Sequence, residues 1–172
     1  MQRSFASLTA QEALHVGICI EDRNAELYHG FAELFTEFGD DESLEIAAVF
    51  WEMAIEERSH SAMLKQKYSD RHGDAACPIT EQDMIEIIEV PRLETADVLG
   101  SSHDGIPGRV RALNVALQAE LAAQHFYSKL AQQTARGPLR DLFWDLADME
   151  DSHVAYLENK LSQDAVERPT LH

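Results

Sequence analysis

Basic residues are scarce in this chain: fourteen lysines and arginines stand against thirty-one aspartates and glutamates, a net charge of -17 over 172 residues. That balance argues against a surface for nucleic acid or anionic membrane and makes cations the expected guests, although much of the acidity also serves solubility. Cysteine is nearly missing. Cys19 and Cys77 are too few for a disulfide framework and form no Cys-x-x-Cys pair, so no thiolate metal knuckle can be built within the chain, and a reducing, cytoplasmic setting is expected. No stretch approaches the roughly eighteen apolar residues of a membrane helix. Met1 to Thr9 carry one arginine and no continuous apolar run, so neither membrane spanning nor secretion is expected. Glycine and proline are also thin except in one region, where Gly73, Pro78, Pro91, Gly100, Gly105, Pro107 and Gly108 break any periodic pattern.

What the chain does have is a repeat. Phe50 to Leu64 returns as Phe143 to Leu157: aligning Glu57 with Glu150 and His60 with His153 also matches Phe50 with Phe143, Trp51 with Trp144, Ala54 with Ala147, Ser59 with Ser152, Ala62 with Ala155 and Leu64 with Leu157. Each copy is expected to be a helix, because Phe50, Met53, Glu57, His60 and Leu64 advance by steps of three and four, as do Phe143, Leu146, Glu150, His153 and Leu157. A length of 172 residues with 45% hydrophobic content and no compositional break points to a single domain, 1–172, with a sizeable core.

Two further helices follow from the same periodicity. Thr9 and Glu12 form a capping-box start, and the frame Leu14, Ile18, Ala25, Tyr28, Phe35 carries a first helix to about Phe38, where Gly39-Asp40-Asp41 stops it. Glu21 lies on that frame and Glu26 falls off it. The third helix starts near Pro107 or Gly108 with the frame Leu113, Leu117, Glu120, Ala123, Tyr127, Leu130. Glu21 to Tyr28 and Glu120 to Tyr127 are both separations of seven. Helices are expected at about 10–38, 42–68, 108–135 and 138–162, with a linker at 69–107 and a tail at 163–172. Thr80 to Asp83 could cap a short helix within the linker. So long a link suggests a crossover along the bundle or an exchange of helices between subunits.

A glutamate and a histidine three apart on one helical face can converge on one metal ion, and two such pairs suggest two metals. The bland alternative would need each buried Glu and His to find its own hydrogen-bond partner. The inward inventory in chain order is Glu21; Glu57 with His60; Glu120; Glu150 with His153. His125, beside the Tyr127 stripe, is a further candidate; His15, His29, His72, His103 and His172 have no matched partners and are expected at the surface. Oxygen-rich ligands with one imidazole per metal suit iron or manganese and could accept zinc.

One Glu from each of two helices and a Glu-x-x-His from each of the other two is the ligand pattern of ferritin-like di-iron bundles. From about Leu14 to Leu161, outside the linker, the chain resembles the ferritin-like superfamily, and within it the bacterioferritin and rubrerythrin branches. The resemblance implies an all-α, ferritin-like four-helix bundle with a long crossover between the second and third helices, holding two iron ions. It implies that Glu57 and Glu150 bridge the metals, that Glu21 and Glu120 are terminal carboxylates, that His60 and His153 each cap one metal, and that Tyr28 and Tyr127 donate to the carboxylates and fix their orientation; plain core tyrosines are the alternative. Ala123 stands where rubrerythrins usually add a carboxylate, and no rubredoxin module is present. Arg58 stands where bacterioferritins carry their haem methionine, so no haem is expected. With no fifth helix in the pattern, a homodimer, with or without exchanged helices, is expected rather than a shell.

The leading expectation is a cytoplasmic, rubrerythrin-like oxidoreductase reducing peroxide or dioxygen with electrons from a separate donor protein. A ferrous-iron-binding ferroxidase and a bundle with a structural metal are the rivals. Glu57→Ala or Glu150→Ala is expected to abolish binding of the metal pair, because each removes a shared ligand, whereas Glu56→Ala is expected to leave it nearly intact; equal metal content in all three would overturn the assignment.

Overall fold

The computed structural model describes residues 8–76, 79, 83 and 107–166, the last three by their backbone alone. The four helices described are α1 (Ala10–Phe38), α2 (Asp41–His72), α3 (Gly108–Gln133) and α4 (Pro138–Val166). The architecture is an all-α four-helix bundle, with no strand among the described residues. No helix among the described residues is long and apolar enough to cross a membrane.

Local chemistry sets the ends. Thr9 and Glu12 close the capping box at the start of α1, each satisfying a backbone N–H of the other. Gly39, at φ 71°, ends α1 in the left-handed conformation that glycine adopts without a Cβ clash, and Asp40 then caps α2 through the Ser43 N–H. A two-residue turn of this kind makes α1 and α2 antiparallel neighbours. α2 runs four residues beyond the expected 68, because nothing from Ser69 to His72 breaks a helix before Gly73. α3 stops at Gln133, two residues short of the expected end, where Thr134 turns extended. α4 begins at Pro138, whose missing N–H is harmless in a first turn, and continues through four residues expected to belong to the tail. The short helix expected from Thr80 lies outside the described residues apart from Asp83, as do residues 167–172.

α1 packs on α2 and α3 on α4, with α1 also meeting α3. The apolar stripes form two clusters. One joins Leu14, Val16 and Ile20 of α1 with Leu64 of α2, Phe126 and Leu130 of α3, and Phe143 and Leu146 of α4. The other joins Phe31 and Phe35 with Phe50 and Met53, closed by Leu113 and Leu157. The inward glutamates occupy the helix positions between the two clusters, so one polar band crosses an otherwise apolar interior.

Gly17 sets the approach of α3 to α1. A Cβ there would sit 3.2 Å from Leu64 Cδ1 and 3.3 Å from the Tyr127 hydroxyl, and both side chains are fully buried. Alanine would gain about 1 kcal/mol in helix propensity but would crowd two immobile neighbours, which typically costs about 1–3 kcal/mol. Gly17→Ala is therefore expected to lower stability by about 1 kcal/mol; a rise in the denaturation midpoint would show that the contact has slack.

Candidate metal centre

Each half of the bundle supplies the same set. Glu21, Glu57, Glu120 and Glu150 are 0% exposed and His60 and His153 only 9%. Four carboxylates without solvent would normally be untenable in an interior. They fall into two groups, Glu21, Glu57, His60 and Glu150, and Glu57, Glu120, Glu150 and His153, in each of which one ligand atom per residue lies within 4.8 Å of all the others. Glu57 and Glu150 belong to both groups.

Both imidazoles turn Nδ1 inward. His60 Nδ1 lies 3.4 Å from Glu21, 3.6 Å from Glu150 and 3.9 Å from Glu57. His153 Nδ1 lies 3.2 Å from Glu57, 3.2 Å from Glu120 and 3.9 Å from Glu150. The two rings stand 5.8 Å apart, nearly parallel. The tyrosines cross between halves: Tyr28 of α1 donates to Glu120 of α3, and Tyr127 of α3 donates to Glu21 of α1. Each ring is stacked on the phenylalanine that opens the repeat on its neighbouring helix, Tyr28 on Phe50 and Tyr127 on Phe143, which aims the hydroxyl across the bundle.

These hydrogen bonds do not satisfy the band. Glu21 Oε2, both carboxylate oxygens of Glu57, both of Glu150 and His60 Nδ1 are buried with no hydrogen-bond partner. Buried polar atoms are nearly always paired, so six orphans converging on one place define a receptor for something that accepts lone pairs. Protons and metal cations do so, and carboxylate oxygens with one imidazole per group are the donor set of a hard or borderline divalent ion. The donors therefore fit a metal.

Proton affinities tell the same story. Burial, reinforced by the Glu120 and Glu21 charges, pushes Glu57 well above the usual carboxylate range, and burial with Glu120 alongside does the same to Glu150. Burial opposes charge on His153, but the Glu120 and Glu57 carboxylates outweigh it and push the imidazole up to about 11. Burial acts against Glu120 as well, yet the neighbouring Glu150 carboxyl and the His153 and Tyr28 donors leave it below its ordinary value. Burial and the facing carboxylates keep Tyr28 and Tyr127 protonated, as donors must be. The site thus holds protons at the atoms that could hold a metal.

The structure brings together all six glutamates and histidines expected at the site and places both tyrosines against them. His125 is exposed and belongs to neither group. Glu56, whose removal is expected from the sequence to leave metal binding nearly intact, is exposed but touches the cluster: its Oε2 lies 2.7 Å from His153 Nε2. Its carboxylate reaches from α2 to α4, which the periodicity of its own helix does not reveal. The available signal was a mismatch in the repeat, where Glu56 aligns with Met149.

Fold and site together define a class, an all-α four-helix bundle with a buried carboxylate and imidazole cluster that could hold metal. No family model and no curated protein matches the chain. It is similar to a solved structure, an uncharacterized conserved protein from Magnetospirillum magnetotacticum MS-1, at 24% identity and a TM-score of 0.73, over 96% of this chain and 100% of that one. At that identity the likeness speaks for the fold.

Glu57, Glu150 and His153 all hold protons more tightly in the folded chain than their ordinary values of 4.5, 4.5 and 6.5. The sign follows: without metal their contribution to stability is present in acid and is lost as pH rises, for His153 between 6.5 and about 11. Metal must displace these protons, so its apparent affinity is expected to rise with pH and binding to release protons. Calorimetry in two buffers of different ionisation enthalpy checks this; identical heats in both would contradict it.

Proposed function

We propose that the protein is a ferritin-like di-iron carboxylate oxidoreductase of the rubrerythrin type, reducing peroxide or dioxygen with electrons delivered by a separate protein. The observation that carries this reading is the pair of four-residue groups sharing Glu57 and Glu150, with orphaned oxygens on both shared carboxylates. Two shared carboxylates would hold two ions side by side, with Glu21 and His60 on one side and Glu120 and His153 on the other. Iron fits the oxygen-rich donor set, which also accepts manganese or zinc. When bound, a ferrous pair supplies two electrons to one peroxide, which with two protons becomes two waters.

The remaining work belongs to the chain. On metal binding Glu57 and Glu150 would give up their protons and supply negative charge to balance the cations. Tyr28 and Tyr127 donate to Glu120 and Glu21, occupying one oxygen of each and leaving the other for a bound metal. The two apolar clusters exclude stray water from either end of the band.

The acidic surface favours a second reading, in which ferrous ions are gathered, oxidised and passed on. Anaerobic loading with ferrous iron, followed by stoichiometric peroxide while ferric absorption in the near ultraviolet is monitored, separates the two. The catalytic reading expects two irons per chain that oxidise, stay bound and can be re-reduced for a second cycle. Iron consumed well beyond two per chain would favour iron handling, and a rise in melting temperature with no oxidation would leave only a structural metal.

A further inference from the structure

The two groups differ beyond their inner ring of donors, and the difference rests on one residue. His153 turns Nδ1 toward Glu57, Glu120 and Glu150, and its far nitrogen, Nε2, lies 2.7 Å from Glu56 Oε2. His60 turns Nδ1 inward in the same way, yet among the described residues no carboxylate is paired with its Nε2. The residue aligned with Glu56 in the second copy is Met149, whose thioether is a weak acceptor without charge.

We propose that the two metal positions are inequivalent and that Glu56 is the positioning residue responsible, so that a divalent ion fills the group of Glu57, Glu120, Glu150 and His153 before the group of Glu21, Glu57, Glu150 and His60. The proposal rests on the two-metal reading of the site. A neutral imidazole offers a lone pair on one nitrogen only while the other carries the proton. With Glu56 accepting from Nε2–H, the tautomer that presents Nδ1 to the metal is fixed, the ring is held in plane, and Nδ1 becomes a stronger donor. His60 has to find tautomer and orientation without that support.

The other donors do not discriminate. Glu57 and Glu150 serve both groups, and Glu21 and Glu120 each accept from one tyrosine. Glu56 is also well placed to act through its hydrogen bond more than its charge, because its side chain is 58% exposed and its field is screened by solvent. A neutral acceptor of the same shape should therefore preserve most of the effect.

The test is an anaerobic titration of the full chain with Co(II), followed by calorimetry and by visible ligand-field absorption, for the wild type, Glu56→Met, Glu56→Gln and His60→Ala. The wild type is expected to bind two ions in two resolved steps. Glu56→Met is expected to weaken the tighter step by about 10–100-fold and to spare the weaker one, so that the steps merge. Glu56→Gln, which keeps the acceptor, is expected to retain most of the separation, and it decides the matter if the methionine variant does not fold. His60→Ala is expected to remove the weaker step and keep the spectrum of the tighter. Equal steps in the wild type, a Glu56→Met effect spread over both steps, or loss of the tighter step in His60→Ala would overturn the proposal. Two ions bound in one step would overturn it and leave the two-metal reading standing, whereas no Co(II) bound at all would overturn both.

Discussion

Four glutamates closed into one dry band repel one another and lack the water that would tolerate their charge. Everything near them answers that constraint. Protons on Glu57, Glu150 and His153 relieve part of it, hydrogen bonds from Tyr28 and Tyr127 relieve another part, and the orphaned oxygens mark what is left. A pair of divalent cations would neutralise the four carboxylates formally, which no arrangement of neutral side chains could do.

The bundle is shaped to hold this band in place. Each apolar cluster draws on all four helices, so neither hairpin can shift without disturbing packing at both ends. The crossed tyrosines add a tie of another kind, since Tyr28 and Tyr127 each lean on their own half and bond the other. Toward the surface, Asp22 accepts from the buried Ser61 and from Lys65 of α2, and Arg109 of α3 pairs with Glu42. Those pairs that reach solvent, Lys65 with Asp22 and Arg109 with Glu42, add little energy but help fix which faces meet.

The inward glutamates and histidines were legible because each stands in phase with the apolar residues of its own helix, Glu57 with Met53 and Leu64, Glu120 with Leu113 and Ala123. Capping chemistry marked the start of α1 and the turn into α2 for the same local reason. The last turns of α2 and α4, up to His72 and Val166, were not anticipated because helical continuation past the apolar stripe leaves no signal of its own. The crossing of the tyrosines and the reach of Glu56 to His153 were beyond periodicity, since both depend on which helices stand side by side. His125 shows the converse: a residue two positions before a buried tyrosine points about 200° away from it around the helix, and here that direction is outward.

The uneven burial of the six side chains gives the centre a front and a back. The carboxylates from α1 and α3 are sealed completely, behind tyrosines that are themselves inaccessible, whereas the imidazoles on α2 and α4 retain a thin rim of exposure. Among the described residues, the imidazole side, with its two nearly parallel rings and the Glu56 carboxylate, is therefore where the cluster comes nearest to solvent.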